Sequence, residues 1–252
     1  MVRRAMPVKF VLAILVLALA GCGVFEPQLR QTSLGDVPPG GNPKIIVMRP
    51  DVAVDLLTAG GLLERREDWT NASRDNVIAS LQALQARRGS KTRVAITRAS
   101  VGGEDATVTE LTKLHEVVGQ SVLMHKFSPQ SELPTKEGVF DWTLGEIAVQ
   151  YGRESGYDFA LVLYVRDNFS SSGRVALQAA GYLGCMVGVC AVAPGGMQTA
   201  FASLVDLKTG NLVWFNYLKS PEGDIRTQEG ADVLVWTLLD SMSAKERAKE
   251  RS

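Results

Sequence analysis

The chain has 252 residues, with 27 Lys plus Arg balanced by 27 Asp plus Glu, two histidines and three cysteines. Without a clustered excess of basic residues it has no electrostatic footprint for nucleic acid, and its His and Cys residues do not fall at the spacing of a metal site. No cofactor is implied, and roughly 200 residues away from the termini suffice for one substantial core.

In chain order, Arg3, Arg4 and Lys9 precede an apolar run over residues 10–20 that is too short to span a bilayer as a mature helix. The run ends on Leu19-Ala20-Gly21-Cys22, which resembles the bacterial lipoprotein signal box. The resemblance implies a signal peptide over residues 1–21 and lipidation of Cys22. Acyl chains would then anchor the chain to a membrane, each buried methylene contributing about 0.8 kcal/mol. Gly23 stands where inner-membrane retention usually has an aspartate, so the implied address is the periplasmic face of the outer membrane. Cleavage removes three basic residues and no acidic ones, turning 27 against 27 into 24 against 27.

Residues 22–43 hold Pro27, Pro38, Pro39, Gly40, Gly41 and Pro43 with few apolar side chains and read as a flexible tether. A single periplasmic domain is expected over residues 44–242, followed by a charged tail at 243–252 that should fray. Its first strand is the apolar run 44–48, stopped by Pro50, with 52–57 as an extension or a turn. Asn71 reads as the cap of a helix carrying Val77, Ile78, Leu81 and Leu84 inward and ending near Arg88-Gly89. A strand over 92–98 and a helix over 104–126 follow. A loop over 127–142 leads to a helix from about Thr143 to Ser155. The continuous apolar run 157–165 is the strongest strand signal in the chain. Strands at 199–207 and 212–218 flank a tight turn in which Gly210 can take a positive φ. The last helix spans about 227–242. The fold class is therefore α/β, a mixed sheet of about five strands with helices packed on it and a late antiparallel meander.

Residues 175–205 contain no charged residue. The central part is too rich in glycine to be read as a soluble helix, and Pro194-Gly195-Gly196 ends it. Cys185 and Cys190 lie within it, either closing a small disulfide ring worth about 2 kcal/mol or remaining as two buried thiols. The stretch could face a neighbouring subunit or partner, pack locally, or enter a membrane, for which about 20 apolar residues are needed. The reading adopted is an assembly surface centred on Leu183, Met186 and Val187, presented away from the tether.

This order of elements, with Phe201-Ala202-Ser203-Leu204-Val205-Asp206-Leu207-Lys208-Thr209-Gly210-Asn211-Leu212-Val213-Trp214, resembles lipoproteins with the fold of the N-terminal domain of TolB. The curli-secretion lipoprotein CsgG and the penicillin-binding-protein activator LpoB share that architecture. A second phrase, Leu133-Pro134-Thr135-Lys136-Glu137-Gly138-Val139-Phe140-Asp141-Trp142-Thr143-Leu144-Gly145, looks like uncharacterised proteobacterial outer-membrane lipoproteins. Within it Phe140 and Trp142 read as a staple pinning a loop at a helix start, or as an exposed aromatic anchor for a partner.

Catalytic constellations are thin. There is no Gly-x-Ser-x-Gly elbow, phosphate loop or paired-histidine motif. His115 and His125 read as surface residues. Ser100 to Asp105 lacks the glycine spacing of a nucleotide loop, and Asp141 with Glu146 is a weak carboxylate pair for glycan hydrolysis. The expected function is a non-catalytic scaffold or accessory of a cell-envelope machine. It would bind the membrane through its lipid, and an envelope protein or its own copies through the domain. A subunit of an oligomeric secretion assembly is the alternative and a hydrolase of envelope polymers the third.

Overall fold

The structure, a computed structural model, describes residues 30–32, 43–88, 93–96, 106–127, 131, 133–136, 139–220 and 223–249. The signal segment, Cys22 and the turn at 100–105 lie outside them. Eight strands form one mixed sheet: β1 (Arg30–Thr32), β2 (Lys44–Val47), β3 (Asp51–Leu57), β4 (Leu63–Arg65), β5 (Arg93–Ile96), β6 (Phe159–Ser170), β7 (Gln198–Asp206) and β8 (Leu212–Ser220). The helices are α1 (Glu67–Arg88), α2 (Ala106–Lys126), α3 (Glu146–Ser155), α4 (Ser172–Met186) and α5 (Gln228–Lys249).

The apolar run expected to be a strand is the central one, β6. On one side it pairs antiparallel with β7, which pairs antiparallel with β8, giving the late meander. On the other side two consecutive strands share it. β2 lies parallel to its first residues and β3 parallel to its last, with the break at Met48-Arg49-Pro50 between them. Residues 51–57 thus continue the line of β2. β5 pairs with β2 in parallel and β4 with β3 in a hairpin.

Side chains along β6 alternate between two cores, as a strand buried on both faces requires. Phe159, Leu161, Leu163 and Val165 join Val77, Leu81 and Leu84 of α1 and Leu234, Val235 and Leu238 of α5. Ala160, Val162 and Tyr164 join Leu111 and Val122 of α2, Ala148 and Tyr151 of α3, and Phe201 and Phe215. Helices therefore cover both faces of the sheet.

Several local expectations change. β6 runs five residues past Val165 because its charged residues are compensated. Arg166 donates to both carboxylate oxygens of Asp51 at 2.9 Å, and the buried Asp167 accepts from Gln198 Nε2 at 2.8 Å. α1 begins at Glu67 rather than behind Asn71. Thr70 N–H donates to the Arg66 carbonyl, while the Thr70 hydroxyl accepts from Val54 N–H at 3.0 Å, fixing the first turn to β3. Asn71 instead accepts from Arg74 within the helix. Arg30–Thr32, inside the stretch read as a tether, pairs antiparallel with β8. The last helix continues to Lys249, through most of the stretch expected to fray.

His115 reverses its expected surface position. It is buried in α2 against the sheet, its Nε2 2.8 Å from the Ser203 hydroxyl and its ring 5.2 Å from that of Phe201. Burial pushes its pKa down to about 3. The unfolded chain takes up a proton near the ordinary histidine value of about 6.5, so stability is lost as pH falls below that value. Asp167 works in the opposite sense. Burial raises it to about 6, so the stability it contributes is full below the ordinary carboxylate value of about 3.9 and is lost as pH rises through about 6. We expect His115→Gln to flatten the acid limb of the stability profile relative to wild type. The difference should grow by about 1.4 kcal/mol per pH unit below about 6.5. Denaturant midpoints measured from pH 7.5 to 4.5 check this, and parallel profiles would refute it.

Candidate interaction surface

Between β6 and β7 the chain leaves the body as an arm, α4 followed by a return over residues 187–197. Ser171 caps the helix, its hydroxyl accepting from Arg174 N–H at 3.2 Å. Residues 172–186 are thus helical, and the helix takes in Gly181 to Met186, the start of the part read as too rich in glycine for a soluble helix. The reason lies in the return chain, which runs directly along the helix. A Cβ on Gly181 would lie 2.5 Å from the Ala191 carbonyl oxygen, and one on Gly184 would lie 2.6 Å from that of Val189. Any larger residue would push the two segments apart, which outweighs the roughly 1 kcal/mol per glycine lost in helix propensity. The Cys185 and Cys190 sulfurs are bonded, closing the tip.

The foot of the arm is held by polar groups that the sequence pattern does not single out. Arg174 is buried, and it donates from Nε to the Pro194 carbonyl at 3.0 Å and from Nη1 to the Ala59 carbonyl at 3.3 Å. One guanidinium thus joins the start of α4, the end of the return and the tip of the β3–β4 hairpin. Asn168 exchanges two hydrogen bonds with the backbone of Met197, at 3.0 and 3.2 Å. The available sequence signal is the run Ser170-Ser171-Ser172 ahead of Arg174, a capping pattern before an apolar segment.

Beyond its foot the arm is apolar and open. Tyr182 and Leu183 are each 65% exposed, Met186 80% and Val187 79%. The hairpin beside it exposes Leu62 and Leu63. No helix among the described residues is long and apolar enough to cross a membrane. Local packing of the uncharged stretch therefore holds for β7, most of whose residues are buried, and fails for the arm.

The other candidate residues lie elsewhere. Trp142 is half-buried at the opposite end of the sheet: it packs with the core shared by α2 and α3, its carbonyl accepts from Leu212 N–H, and Lys136 Nζ stands 4.8 Å from its ring. It does not join Leu183, Met186 and Val187. Asp141 pairs with Lys136 at 2.7 Å and Glu146 with Arg153 at 3.1 Å, so each of the two carboxylates faces a base. His125 is half-buried, with Nδ1 2.6 Å from the Ser131 carbonyl oxygen. No group of three or more His, Cys, Asp or Glu able to hold a metal ion occurs among the described residues.

No family model matches the sequence, and no curated protein matches it. Among solved structures, a PelC dodecamer from Paraburkholderia phytofirmans is 12% identical at a TM-score of 0.38, over 85% of this chain and 97% of that one. The LpoB C-terminal domain from Salmonella enterica is 14% identical at 0.26, over 73% and 87%. Lipoprotein GNA1162 from Neisseria meningitidis is 14% identical at 0.30, over 81% and 97%. Scores this low leave function to be argued from this chain's own residues.

Arg174→Met should remove the hydrogen bonds to the Pro194 and Ala59 carbonyls and loosen the foot, at a cost of about 1–3 kcal/mol. Limited proteolysis should then cut within 187–197 at least tenfold faster while the body resists. Unchanged cutting would show that the foot does not depend on Arg174.

Proposed function

We propose that this chain is a non-catalytic, lipid-anchored periplasmic protein of the outer membrane, acting as a scaffold or accessory of a cell-envelope assembly or transport machine. The observation that carries this reading is the arm: an uncharged, disulfide-closed projection whose apolar side chains face outward from an otherwise well-buried domain. A cluster of exposed apolar side chains marks a surface that meets another protein or a membrane, as an envelope-bound protein requires. The signal box ending on Cys22 supplies the anchor, and Gly23 the outer-membrane address.

The same arm supports a second reading, a subunit of an oligomeric secretion assembly in which neighbouring copies cover it. A hydrolase has less in its favour, because His115 is sealed under the sheet and Asp141 and Glu146 are each held by a basic neighbour.

Replacing Cys22 with Ala should release the protein from the outer-membrane fraction into the soluble periplasm. Retention of the native membrane partition would overturn the anchor. Chemical cross-linking of the lipidated protein in intact cells, followed by sizing, separates the two readings: a ladder of identical copies favours the assembly subunit, and heterologous products favour the accessory.

A further inference from the structure

We propose that the arm-bearing end of the sheet rests against the bilayer and that the tip of α4 dips into its interfacial region, so that lipid covers the exposed apolar surface; this deepens the lipid-anchor reading of Cys22 and rests on it for orientation.

Strand pairing fixes where the chain enters the fold. β1 pairs with β8 so that Arg30 stands opposite Tyr217 and Thr32 opposite Phe215. The start of β1 therefore points toward Ser220, and Ser220 pairs with Gln198, the residue on which the arm returns to the sheet. β6 reaches Ser170 at this same end, directly before the arm departs. Seven residues separate Cys22 from Arg30, a length that spans at most about 28 Å. An anchor at Cys22 holds this end of the sheet near the membrane, the reverse of the expectation that the surface points away from the tether. The β3–β4 hairpin adds Leu62 and Leu63 to the same end, because β3 runs parallel to β6 and Leu57 lies opposite Ser170.

Composition points the same way. A protein–protein contact keeps a polar, partly charged rim around its apolar centre. From Val175 to the end of the return the arm has no Asp, Glu, Lys or Arg. Lipid selects against these residues most strongly, at about 2.5–3.5 kcal/mol each in the middle of a membrane helix.

Three backbone donors at the tip are already satisfied internally. Val187 and Val189 N–H donate to the Gly184 carbonyl at 3.1 and 2.9 Å, and Gly188 N–H to that of Cys185 at 3.3 Å. These donors need no water, which lowers the cost of moving the tip among lipid headgroups and upper acyl chains. Depth is limited. α4 has 15 residues, about 22 Å of helix, and its return is irregular, so the arm is suited to the outermost 5–10 Å or so of the leaflet and not to crossing it.

The test uses the full-length lipidated protein in phosphatidylcholine vesicles doped with a phospholipid that carries a photoactivatable diazirine on its acyl chain. After irradiation, peptide mapping should find label on residues 182–189. The label should fall at least about tenfold in the Leu183→Asp, Val187→Asp double variant, and change less than about twofold with salt or with added anionic phosphatidylglycerol. If Cys22 is acylated and the wild-type arm takes no label, or cross-links only to protein, the proposal is overturned while the anchor stands. If the arm is labelled but Cys22 carries no acyl chain, the anchor reading falls and the lipid contact stands. Because wild-type labelling decides the outcome, misfolding of the double variant would not rescue the proposal.

Discussion

Everything in this domain depends on β6 being buried on both faces and paired along both edges. A strand in that position has no solvent side, so nine consecutive residues from Tyr157 to Val165 include only one charged residue, Asp158. Asp158 sits at the strand's entry, where it accepts from the Lys44 backbone N–H at 3.0 Å. Alternation along β6 then assigns α1 and α5 to one face and α2 and α3 to the other. The close approach of α2 follows from the same constraint. Gly119 leaves no room for a Cβ beside the Phe201 ring, and His115 fills the neighbouring space as a neutral, hydrogen-bonded ring.

The sharing of one edge of β6 by β2 and β3 has a mechanical consequence. Pro50 interrupts the line between them, and each segment then acquires its own outer neighbour, β5 or the short β4. The half of the sheet nearer β6's start is extended by β5. The half nearer its end carries the hairpin and the arm, joined by Arg174. Polar contacts at that end, including the Arg166–Asp51 pair and the Asp167–Gln198 bond, let β6 carry charge inside the fold without leaving the sheet. The apolar surface of the molecule is thereby concentrated at one end: ten of the fifteen large apolar side chains exposed among the described residues belong to the hairpin or the arm.

Much of this was determined by the sequence alone, for reasons of periodicity and length. The run of 157–165, the meander around Gly210 and the inward stripe of α1 are local patterns, and local patterns determine element type. The α/β class, the five principal strands and the absence of charge over 175–205 follow from them directly. Only the tertiary structure decided the rest. Asn71 is a capping residue by type, yet the helix starts earlier because Thr70 and Trp69 find partners on β3 and β6. His115 is polar by type, yet Ser203, 88 positions away, supplies the hydrogen bond that allows its burial. The glycines of α4 weaken a helix in isolation and permit this one, because the returning chain occupies the space their missing side chains leave. Whether the apolar stretch lay inside or outside, and toward which end of the molecule, depended on strand pairing between β1 and β8 and between β6 and β7. Those contacts join residues far apart in the chain, and no local pattern records them.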